Sequence, residues 1–179
     1  MGEASSGLQQ FESIVKNVRL ELQFHVLRIV SRNALALGIN SIVLFAVLAA
    51  FPGGWNFHSL WLIFFGLLIL ALVSFGLTAL TLLLCTAYRD ATPLVNSALT
   101  ILMFATPIMW APSQLANSPY RWVFEFNPFF HVVEAVRTPI TGAPMGFDQW
   151  VFASVFALLS VVIAWLAIRA CQDKVAYWV

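Results

Sequence analysis

The side chains able to do chemistry are few, and their spacing joins hardly any of them into a site. Three histidines (His25, His58 and His131) and two cysteines (Cys85 and Cys171) stand among eight carboxylates in 179 residues. His131 and Glu134 are three apart and would share one face of a helix. A zinc-type centre needs three or four protein ligands; His25 falls on the cytoplasmic side of the chain and His58 and His131 on the external side, so no three-histidine site forms. Glu134 and Arg137 are also three apart, the spacing of a local ion pair. No Ser/His/Asp arrangement can be drawn. Neither a Gly-x-x-x-x-Gly-Lys-Ser/Thr loop nor any Gly-Lys pair occurs, so the chain carries no phosphate-cradling loop of its own. We assign it no catalytic residue, no metal ligand and no bound cofactor.

The elements that carry these residues are set by composition. Of the residues 61% are hydrophobic, 15% aromatic and 9% charged, against roughly 25% charge in soluble domains. Such a chain cannot coat a globule with water-compatible surface and reads as an all-α integral membrane protein. Four apolar segments can be drawn, at 34–51, 60–87, 93–111 and 151–170. A span needs about 20 residues; the second segment, at about 42 Å if helical, must tilt or emerge. The runs lack the polar alternation of a membrane barrel.

Four spans put both termini and the turn at 88–92 on one side. That side holds Lys16, Arg19, Arg28, Arg32, Arg89, Arg169 and Lys174; the other holds Arg121 and Arg137. The excess of basic residues places the termini in the cytoplasm. Both cysteines then sit at the cytoplasmic ends of spans, where they pack as small apolar groups. Residues 1–33 form a cytoplasmic segment rather than a span, and 34–179 the transmembrane domain. Within the first, Leu8, Phe11, Val15, Val18, Leu22, Val26 and Ile29 recur at steps of three and four. That is an amphipathic helix, suited to a lipid surface or to a partner protein.

Residues 112–149 are too apolar for a free loop and too interrupted to cross. Pro112, Pro119, Pro128, Pro139 and Pro144 leave two short runs, Tyr120–Phe126 and Phe129–Thr138. Asn127-Pro128 ends the first and starts the second, since proline suits a helix's first turn. The pattern predicts a re-entrant helical hairpin over about 119–140, before the last span. In the third span, Thr106-Pro107 predicts a kink: Pro107 offers no N–H to the carbonyl of Met103, and Thr100 or Thr106 could meet that carbonyl instead.

Taken together, YRDATPLVNSALTILMFATPIMW (88–110), NPFFHVVEAVRTPITG (127–142) and the terminal KVAYWV resemble the membrane subunit of ABC-2-type exporters of polysaccharide, which move lipid-linked O-antigen, capsule or teichoic-acid chains. VRLELQFHVLRIVSRNAL (18–35) is similar to the family's approach to its third span, so the chain resembles the C-terminal two-thirds of such a permease. The resemblance implies a bacterial inner-membrane, multi-pass protein that works as a homodimer with a separate ATPase subunit, on which ATP and Mg bind. Arg19, Leu22, Arg28, Tyr88, Arg89 and Asp90 would then face the ATPase. Trp110, Tyr120, Trp122, Phe124, Phe126, Asn127, Phe129, Phe130 and Glu134 would line a sugar path, or the aromatics would form an interfacial belt. The rival readings are an ABC-2 permease for drugs or other lipids, and a truncated membrane remnant that transports nothing.

Overall fold

The computed structural model describes residues 22–50, 61–88, 90–106, 125–142 and 145–178, and these are helical, with no strand among them. Five helices follow in order: α1 Leu22–Ala50, α2 Leu62–Ala87, α3 Ala91–Ala105, α4 Pro128–Thr141 and α5 Phe147–Trp178. The expected N-terminal amphipathic helix before Leu22, the external turn after Ala50, and the first arm of the hairpin up to Phe124 lie outside the described residues. α1 runs unbroken through residue 33.

Among the described residues two helices are long and apolar enough to cross a bilayer: α2, and α5 from Phe147 to Cys171. The 26 residues of α2 extend about 39 Å, against a hydrocarbon core of about 30 Å. α3 is shorter, at 15 residues, and its described part ends two residues before Pro107. Large apolar side chains face outward along these helices, among them Phe64, Leu94, Ile101 and Leu158. An apolar exterior is what hydrocarbon, not water, accepts. Serine and threonine hydroxyls on the same surfaces are satisfied by their own helix: Ser97 donates to the Pro93 carbonyl and Thr100 to that of Asn96, four residues back. Each hydroxyl can therefore face lipid without an unmet bond.

The chain divides into two compact units: Met1–Asn33, Leu72–Ile101 and Leu158–Val179 in one, and Ala34–Ala71 and Leu102–Ala157 in the other. The first unit packs Val26 and Ile29 of α1, Ala79, Leu82 and Leu83 of α2, and Ala164 and Ile168 of α5 into one core. Close approach rests on small residues, as expected where lipid offers no hydrophobic drive between helices. A methyl on Gly76 would stand 2.6 Å from the carbonyl carbon of Ser160.

In the second unit the close contact is between α2 and α4. A methyl on Gly66 would strike the carbonyl oxygen of Ala135. That carbonyl has lost its helical donor, because the residue four ahead is Pro139, which has no N–H. A glycine therefore faces the one turn of α4 where the backbone ladder is broken.

α5 starts at Gly146, whose carbonyl accepts from the N–H groups of Gln149 and Trp150. The Gln149 side chain reaches back to accept from the Gly146 N–H at 3.3 Å, one half of a capping box. Asp148 adds a carboxylate to the first turn, where the helix dipole favours it.

Candidate functional site

The short helix α4 and the loop end of α3 are joined by one side chain. Asn127 has an extended backbone and caps α4, its Oδ1 accepting from the Phe129 N–H at 3.0 Å. Pro128 follows at the first helical position, where its missing N–H costs nothing. The Asn127 amide nitrogen then donates to the carbonyl of Ala105 at 3.3 Å and to Thr106 Oγ1 at 3.2 Å. The last carbonyls of a helix have no intrahelical donor, so one residue satisfies the start of α4 and the end of α3. At its far end α4 closes on Gly142 in the left-handed conformation, with φ 71°, which glycine adopts without steric cost.

α4 buries an unusual amount of polarity. His131, Glu134 and Thr138 are all buried, at positions 131, 134 and 138 of one helical face. His131 Nε2 lies 2.7 Å from the Glu125 carbonyl. A carbonyl only accepts, so Nε2 carries a proton and donates it. The ring sits against Phe130 and Phe152, at centroid distances of 5.2 and 4.6 Å. Glu134 pairs with Arg137 at 2.8 Å, the local ion pair its spacing implied. Thr138 donates to the Glu134 carbonyl at 2.8 Å. Among the described residues no three His, Cys, Asp or Glu come together as metal ligands.

The aromatic residues expected along a path are placed differently from one another. Phe126 is exposed. Phe129 is half-buried, its ring edge-on to Phe156 at 5.7 Å, and Phe130 is buried against His131. Trp110, Tyr120, Trp122 and Phe124 lie outside the described residues, as does Pro107. Thr106 is buried with its oxygen engaged by Asn127. Thr100 binds Asn96, so neither hydroxyl is directed at the carbonyl of Met103 among the contacts described.

At the other candidate site, α2 and α3 meet in a three-residue turn. The Tyr88 N–H donates to the Leu84 carbonyl at 2.9 Å, and the Ala91 N–H to the Tyr88 carbonyl at 3.0 Å. Tyr88 and Asp90 are exposed on it. Arg89 and Arg19 lie outside the described residues; Leu22 opens α1, and Arg28 is exposed on it. His25, also on α1, is buried. Burial first, and the neighbouring Arg28 charge second, hold its pKa below the ordinary value of 6.5.

Three features escape a reading of the sequence. Asn-Pro signals a helix start, but nothing in it names Ala105 and Thr106 as the remote acceptors. The bond from His131 to Glu125 depends on how the chain turns at 125–127. Gly66 lies inside an apolar run, where a lone glycine signals close packing without saying against what.

The family model described as ABC-2 type transporter matches residues 23–141 of the chain, well over half of it. No curated protein and no solved structure matches it.

Proposed function

The chain belongs to the ABC-2 type transporter family, and on that premise we propose that it exports lipid-linked polysaccharide of the O-antigen kind from the cytoplasm across the bacterial inner membrane. The family fixes the coarser statement: this is the membrane permease of an ABC exporter, working with an ABC ATPase subunit. The cargo is our own reading, together with a homodimeric assembly, cytoplasmic termini and the residue roles below.

The observation that carries the reading is the start of α4. A 14-residue helix reaches about 21 Å, too short to cross the hydrocarbon core. It opens on an asparagine anchored to the preceding helix, with exposed Phe126 and half-buried Phe129 beside it. We take it as the returning arm of a re-entrant hairpin at the exit of a path. Aromatic faces suit pyranose rings, because they give apolar contact without demanding one sequence of hydroxyls, and a repeating polymer must slide. Phe126 is the best placed of the described aromatics to meet it. Glu134 sits deeper and, held by Arg137, serves the wall of the path rather than its surface. Tyr88, Arg89 and Asp90 form the contact with the ATPase. Tyr88 and Asp90 are exposed, and charges in an exposed turn add little to stability, so docking to a partner accounts for the Arg-Asp sequence better than folding does.

Two experiments test this. With a tag after Val179, a P-loop ATPase subunit should co-purify from solubilised membranes, and changing Arg89 and Asp90 to Ala should weaken it severalfold. Failure of both forms to hold an ATPase would remove the chain from working exporters. In the reconstituted complex, ATP hydrolysis should rise with a lipid-linked oligosaccharide and not with a lipophilic drug cation. The reverse response would give the cargo to the drug-exporting rival.

A further inference from the structure

One stripe of α5 ends in a pair of side chains that lipid tails alone do not explain. Leu158, Val162 and Trp165 are about half exposed, at 60%, 49% and 46%, and Arg169 is exposed too. Their spacing of four, three and four puts them in one line along the helix. The opposite line, Ser160, Ala164 and Ile168, is buried in the core of the same unit. The stripe is therefore an outer face, and from Leu158 to Arg169 it measures about 16 Å. One leaflet of hydrocarbon is about 15 Å deep. The stripe stops two residues before Cys171, where the apolar stretch ends.

At that end the Arg169 guanidinium lies over the Trp165 indole, with Cζ 3.8 Å from the ring centroid. A guanidinium held over an indole face keeps its in-plane N–H donors for another partner. Those are the donors that bind a phosphate in bidentate fashion. The same end of the unit carries Arg28 and Arg32 on α1, both exposed, on the segment whose Val26 and Ile29 pack against Ala164 and Ile168. The described helices and turn of this unit carry Arg28, Arg32, Arg169 and Lys174 against Asp90 and Asp173, an excess of basic residues that favours an anion at headgroup depth.

We propose that this stripe holds an anionic phospholipid, its phosphate on Arg169, its glycerol region against Trp165 and one acyl chain along Val162 and Leu158. The proposal does not depend on the cargo.

The test uses the full chain in a non-ionic detergent, given equal amounts of phosphatidylglycerol and phosphatidylcholine of matched chains, with retained lipid counted by native mass spectrometry. We expect phosphatidylglycerol to be favoured about tenfold, the factor that corresponds to roughly 1.4 kcal/mol. Arg169→Gln should bring the ratio close to one and Trp165→Leu should reduce it. Arg169→Lys keeps the charge without the flat fork, folds wherever the parent helix does, and should fall between. Equal retention of both lipids by the parent chain overturns the proposal, as does a preference that survives Arg169→Gln. Displacement of the lipid by soluble glycerol phosphate would mark a plain anion site and overturn the lipid assignment. A second copy covering the stripe would leave no bound lipid and would equally overturn it.

Discussion

The two units have interiors of different chemistry. Around Val26, Leu82 and Ala164 the first unit is packed with aliphatic and small side chains, and the polar side chains it buries among the described residues are His25, near the start of α1, and the compact hydroxyls Thr78 and Ser160. The unit that contains α4 buries Thr106, His131, Glu134 and Thr138. The difference follows the backbone. Helices of the first unit carry an unbroken ladder through their described cores and need nothing from side chains. In the second, α3 stops at Ala105 and α4 carries Pro139, so carbonyls lose their helical donors there. Asn127 meets one of them, and the bare backbone of Gly66 comes up against another. In the second unit, buried polarity gathers where the chain departs from a simple span.

The contrast between the units can be broken at several points. The largest effect should come from Gly66→Leu, because the obstacle is the Ala135 backbone and cannot swing aside. Loss of about 3 kcal/mol or more is expected, read as a lower thermal midpoint in detergent; an unchanged midpoint would show that α2 and α4 do not approach so closely. Asn127→Ala removes a cap, at about 1 kcal/mol, and two donors to the end of α3. The sum should approach about 2 kcal/mol. Asn127→Asp should keep the cap and lose the tether, so it separates the two roles in the same assay.

Arg137→Ala leaves the largely buried Glu134 carboxylate without its charge partner. About 1–3 kcal/mol should be lost, and the double change with Glu134→Gln should recover part of it. Gly38 has open space around an added methyl, so Gly38→Ala should stabilise α1 by up to about 1 kcal/mol. A cost there instead would mean that another helix covers this face.

The smallest expected effect is a pH dependence in the first unit. Because the folded pKa of His25 is lowered, the unfolded chain binds its proton first on acidification. Its contribution is whole above about pH 6.5 and falls as the pH drops toward the folded value. His25→Gln should flatten this part of the stability profile, and an identical slope in the variant would reject the assignment.

Much of the architecture follows from the sequence directly. An apolar, nearly uncharged run such as 62–87 can only be a buried or spanning helix, because its backbone must bond to itself. Asn127-Pro128 and Gly142 bound α4 through local rules for caps, which need no knowledge of the rest of the chain. The Glu134–Arg137 pair follows from spacing alone. Family membership, too, is carried by such local patterns.

What only the tertiary structure decided is which groups meet across distance. Asn127 finds Ala105 and Thr106, 22 and 21 residues away, Gly66 admits the freed carbonyl of Ala135, and Phe130 turns inward while Phe126 stays out. Those outcomes depend on how helices are set side by side. In an apolar chain that setting is chosen by close steric fit and a few remote hydrogen bonds. Hydrophobic periodicity cannot encode it, because lipid and protein interior are equally apolar neighbours.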